Sequence, residues 1–173
     1  MSRILSLGFV LLFTLSLVGT AGDKKETTNH AGFDKLKKLA GEWVALGKDG
    51  KPTDQVISIY KVTAAGSAVH EVIFPGTAHE MITVYHLDGK NLVLTHYCAA
   101  KNQPQMKAEP MTGNKLAFKF TGGANIDPAK DMHMHDGTIT FIDDNTIEST
   151  WQGWMNGKPD DTHRFSMKLG RKK

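Results

Sequence analysis

From residue 41 onward the chain is a succession of short runs in which apolar and polar side chains alternate, cut at regular intervals by turn residues. A period of two belongs to strands with one buried face, and turn chemistry at this spacing joins them as hairpins. The turns are Lys48-Asp49-Gly50-Lys51-Pro52, Ala65-Gly66, Asp88-Gly89, Asp143-Asp144-Asn145 and Asn156-Gly157-Lys158-Pro159. They predict strands over 42–47, 55–62, 67–74, 79–87, 92–99, 103–109, 115–121, 132–142, 146–155 and 162–169. The longest loop is 122–130, where Asp127-Pro128 supports the reading. Ahead of the strands, 30–40 reads as one short helix. Asn29 can cap it, Phe33, Leu36, Leu39 and Ala40 make its apolar stripe, and Gly41 ends it. The expected fold is all-β: an up-and-down antiparallel β-barrel of about ten strands preceded by a short helix. A barrel removes edge strands and leaves a lumen able to hold a small ligand. A sandwich is the competing architecture, and the meander of short hairpins favours the barrel.

The first 21 residues stand apart. Arg3 gives a positive start, 4–18 is an uncharged apolar run, and Gly19-Thr20-Ala21 supplies small residues before Gly22. This is the pattern of a signal peptide, so the protein is expected to be exported, to a periplasmic or extracellular location. A retained anchor is the alternative, but the run is short for a bilayer span, and no stable membrane span is expected after cleavage. Residues 22–29 read as a polar linker, and 30–173 as a single barrel domain. The formal charge is +3 on 173 residues, with the basic side chains scattered, which argues against a nucleic-acid partner. Cys98 is the only cysteine, so no internal disulfide forms. A lone thiol is a packed hydrophobe, a ligand, or a site of intermolecular pairing.

Alternation also assigns faces. In the last strand His163, Phe165, Met167 and Leu169 form the apolar, inward side. His70 is expected inward with Ala68, Val72 and Phe74. His133 and His135 align with Gly137, Ile139 and Phe141, again inward, which turns Met132 and Met134 outward. Leu116, Phe118 and Phe120 fill the lumen from a neighbouring strand. With a two-residue turn at Asp88-Gly89 or Gly89-Lys90, Met81, Thr83 and Tyr85 share a face with Leu92, Leu94, His96 and Cys98. Several histidines in one lumen call for mutual hydrogen bonds, water, a polar ligand or a metal, since an uncompensated buried polar group costs roughly 1–3 kcal/mol.

The segment Leu39-Ala40-Gly41-Glu42-Trp43 resembles the Gly-x-Trp lead-in to the first strand of the lipocalin and fatty-acid-binding-protein superfamily. The resemblance implies a lipocalin-like barrel whose Trp packs across the closed end, and the strand number is similar to the fatty-acid-binding and nitrobindin-like branches. The chain also resembles secreted bacterial lipocalin-like proteins of the calycin superfamily, a group of unknown function. That impression rests on His79-Glu80-Met81, Leu94-Thr95-His96-Tyr97-Cys98, Asn102-Gln103-Pro104-Gln105-Met106 and Asp131-Met132-His133-Met134-His135. The nitrobindin branch binds haem through a His late in its barrel, and no His of this chain is matched to it residue by residue.

Three functions compete. The first is an exported small-molecule-binding barrel, with His96, His133, His135, His163, Tyr97, Phe118 and Phe141 as its ligand-binding residues, or Tyr85 in place of Tyr97. The second is a metal- or haem-binding envelope protein. There His96, Cys98, His133 and His135 are the expected ligands of a transition metal, zinc or copper by donor type. The third is an enzyme. His79 and Glu80 are neighbours that face opposite sides of a strand, and the sequence holds no nucleophile elbow, His-Glu-x-x-His or phosphate-cradling loop. The sequence therefore offers no catalytic residues, and binding is the expectation.

Overall fold

The computed structural model describes residues 30–173. The signal-peptide and linker expectations, and Asn29 as a cap, lie outside the described residues. The helix α1 (Ala31–Lys37) is capped instead by His30, whose Nδ1 accepts from the Phe33 amide at 3.3 Å. Ten strands follow: β1 (Gly41–Leu46), β2 (Pro52–Thr63), β3 (Ala68–Ile73), β4 (Met81–Asp88), β5 (Asn91–Tyr97), β6 (Gln103–Ala108), β7 (Lys115–Ala124), β8 (His133–Asp143), β9 (Thr146–Met155) and β10 (Lys158–Arg171). Each pairs antiparallel with its chain neighbour, and β1 pairs with β10, so the sheet closes on itself. A closed ten-stranded antiparallel barrel led by a short helix fits a calycin-like fold. No helix among the described residues is long and apolar enough to cross a membrane.

The turns act as their chemistry predicts. Asp88 pairs with Asn91, so Gly89-Lys90 is a two-residue turn and the faces of β4 and β5 follow. Asn156 and Gly157, with φ of 54° and 70°, make the two-residue turn between β9 and β10. Positive φ at both central positions matches the right-handed twist of the flanking strands.

The helix closes one end. Phe33, Leu36 and Leu39 are buried there, and Trp43 is fully buried beside them. The Trp43 indole donates to the Leu39 carbonyl at 2.7 Å. Arg171, from the far end of β10, lies over the Trp43 ring at 4.6 Å and donates to the carbonyls of Ala40 and Lys38, each at 2.8 Å. Those carbonyls follow the last turn of a helix, where no amide remains to satisfy them. Tyr85, Leu94, Met106, Phe118, Ile139 and Ile147 fill the lumen above this floor. The opposite end of the barrel is not filled.

Two irregularities reposition side chains. Between Met134 and Asp136 the β8 register slips against β9, leaving His135 as an extra residue. One inserted residue exchanges the faces on its two sides. Between Asp160 and Arg164 the β10 register slips against β9, and Asp161, Thr162 and His163 loop out. Gly153 allows this, because a Cβ there would lie 2.6 Å from the His163 Cβ.

Candidate functional site

A cavity of about 630 Å³ opens at the barrel end opposite the helix. Its volume lies within the range of pockets that hold small organic molecules. The walls are mainly apolar: Met81, Met132, Met134 and Met167, with the rings of Trp151 and Phe165. Trp151 lies across Gly137, its register partner, where a Cβ would meet the indole at 2.9 Å. The Trp151 Nε1–H donates to Ser149 Oγ at 3.0 Å, so the indole is held from both sides.

One side of this cavity is polar. Tyr60 on β2, Glu71 on β3, Thr83 on β4 and His96 on β5 are successive register partners, forming one row across four strands. All four are buried, and Glu71 and His96 reach the cavity. Ser58 donates to Glu71 Oε1 at 2.9 Å, and Tyr85 donates to Oε2 at 2.7 Å. Burial pushes the Glu71 carboxyl above its usual range, and the hydroxyls of Tyr85, Tyr60 and Ser58 pull against that rise. Burial, reinforced by the Glu71 charge, raises the phenols of Tyr60 and Tyr85 well above their ordinary value. Thr83 Oγ1 and His96 Nδ1 are hydrogen-bonded at 2.9 Å, and the imidazole leans on Trp151 with 5.5 Å between ring centres. Burial lowers the His96 pKa to about 4, so the ring is neutral at pH 7.

His163, carried by the β10 loop-out, also lines the cavity. Its Nδ1–H donates to Asp160 Oδ2 at 2.7 Å, since a carboxylate only accepts. Cys98, just beyond β5, lines the cavity too, and burial raises its thiol pKa. A raised thiol is a poor nucleophile, and Cys98 fits a packing role.

Several sequence expectations need correction. His133 pairs in register with Trp154, which alternates with the inward Gly153, so both face away from the cavity. His135 stacks flat on Trp154, with ring centres 3.8 Å apart at 11°. Phe120 joins them, 4.6 Å and 4.9 Å from the two imidazoles. The Asp131 carbonyl accepts from His133 Nδ1 at 2.8 Å, and His133 Nε2 and His135 Nδ1 are hydrogen-bonded at 3.0 Å. The register slip is the cause, and it turns Met132 and Met134 inward instead. Tyr97 is half exposed on the outer face. Phe141 packs by the helix, under the Lys35 ammonium at 5.2 Å. Phe118 is core beneath the cavity, against Tyr85. His70 faces outward, since its neighbours Val69, Glu71 and Ile73 are the buried residues of β3.

The four expected metal ligands are therefore not assembled. His96 and Cys98 line the cavity, while His133 and His135 lie on the other side of the wall. Among the described residues no three His, Cys, Asp or Glu side chains converge to hold a metal ion. Glu71 and Trp151 are the site residues that sequence reasoning missed. The β2–β3 turn at Ala65-Gly66 carried the signal for Glu71, because it sets Tyr60 opposite Glu71. No protein-family model matches this chain, and no curated protein matches it either.

Proposed function

We propose that this protein is an exported binding protein that takes a small, largely apolar molecule into the open end of its barrel. One observation carries the reading: a cavity of about 630 Å³ with thioether and aromatic walls, reached by Glu71 and His96 from a buried polar row. Apolar walls gain from burying a ligand, at roughly 25 cal/mol per Å² removed from water. A few fixed polar groups then orient what enters. Glu71 and His96 are well suited to that, because each is held by a strand and not by a loop, with Tyr60 and Thr83 as their register partners. Export is supported by the uncharged run at 4–18 and the small residues that follow it. The resemblance to secreted calycin-like proteins is consistent with export.

The reading does not call for catalysis. His96 is neutral, and Glu71, the acid that lines the same cavity, is engaged by Ser58 and Tyr85. The test has two arms. Native mass spectrometry of protein purified from the cells that make it should show an added organic mass. Titration with the apolar fluorophore N-phenyl-1-naphthylamine should give saturable uptake near one equivalent, with quenching of Trp151. Absence of both an added mass and saturable uptake would refute the reading, and an added haem or metal mass would replace it.

A further inference from the structure

We infer that the ligand carries a protonated amine at its inner end, received by Glu71, with an apolar body lying against the walls of the cavity. The inference rests on the binding reading above and deepens it. Among the described residues Glu71 is the only carboxylate that lines the cavity, and no Lys or Arg lines it. A buried carboxylate without a cation is costly, and neighbouring dipoles offset only part of that cost. Ser58 and Tyr85 each occupy one position on its two oxygens. An ionised carboxyl accepts up to about four hydrogen bonds, so with the Tyr60 hydroxyl counted as a third partner a position remains for a donor. An ammonium brings both the missing charge and up to three donors. The surrounding groups favour the same chemistry. Trp151 and Phe165 add aromatic surface to the lining, which favours a cation, and the methionine thioethers suit a hydrocarbon chain. A fatty acid or a phosphate head would set a second negative charge against Glu71, with no Lys or Arg in the lining to mediate. The burial that raises the Glu71 pKa is the same burial that an incoming cation would compensate.

Three probes of equal length separate the alternatives: octylamine, octanol and octanoate, each competing with N-phenyl-1-naphthylamine at pH 7. Octylamine is charged there, as a lysine side chain is. It should displace the fluorophore at a concentration roughly tenfold or more below octanol, the gain of a hydrogen bond to a charged group. Octanoate should be the weakest of the three. In Glu71→Gln the amine preference should collapse to within about threefold of octanol, both measured on that variant. Octanol or octanoate matching octylamine on the unaltered protein would overturn the inference, whether or not the variant folds. So would an amine preference that survives Glu71→Gln. In either case intact fluorophore uptake leaves the binding reading standing, whereas absence of uptake removes both.

Discussion

Lowering the pH from 7 to about 4 should cost the barrel about 3 kcal/mol through His96 alone. In the unfolded chain an imidazole takes up its proton near pH 6.5, and in the barrel His96 does so only at about 4. The gap is about 2.5 pH units (6.5 − 4), at about 1.4 kcal/mol each. Between those values the unfolded state binds the extra proton, so stability rises with pH. The contribution is fully present above pH 6.5, falls as the solution is acidified, and levels off below pH 4. Glu71 works in the opposite direction, because its folded pKa is raised and protonation of the carboxyl favours the barrel as the pH drops. His135, partly buried with its pKa lowered, works in the same direction as His96. The raw profile therefore mixes several groups, and the informative quantity is the difference between the unaltered protein and His96→Gln. Gln does not titrate and keeps a hydrogen-bonding partner for Thr83, which is fully buried. Urea unfolding at half-unit steps from pH 7.5 to 4 should show the two stabilities converging by about 3 kcal/mol as the pH falls. Parallel curves would mean that His96 is already solvated or already charged, and the burial argument would fail.

Trp43→Ala should cost about 3–5 kcal/mol, as for other buried aromatics, because it also releases Arg171 and the Leu39 carbonyl. A loss below about 1 kcal/mol in urea unfolding would show that the closed end does not depend on it. The double substitution of His133 and His135 by Phe should leave fluorophore affinity within about twofold, since both rings lie outside the cavity. A loss of uptake there would contradict the faces assigned to β8.

The barrel was legible because its strands are short, alternate cleanly and are joined by turns whose chemistry fixes their length. The β4–β5 hairpin shows this best: a two-residue turn set the parity, and His96, Leu94 and Thr83 fell inside as expected. The site was less legible, for two reasons. Parity holds only while the register does, and the slip at Met134 and Asp136 reversed the faces of His133 and Met134. On β3 the expectation that His70 faces inward puts the acidic Glu71 on the solvent side. Its partners Ser58 and Tyr85 stand 13 and 14 residues away, so nothing local announces that a carboxyl can be satisfied inside. A charged residue in the middle of an apolar face is read correctly only when the neighbouring strands are laid beside it.

The clasp between Arg171 and the carbonyls of Lys38 and Ala40 joins residues separated by 133 and 131 positions. It has a consequence for assembly. The helix and β1 emerge early in synthesis, yet their partner β10 is nine strands downstream. Each hairpin can form as it appears, because its pairing is local. The free edge of β1 stays open until the chain has run past residue 171, and an open edge is a template for wrong partners. Closing so long a loop is also entropically slow compared with hairpin formation. The Arg171 clasp therefore works as a latch: it makes the last seam the point at which a set of independent hairpins becomes one cooperative unit.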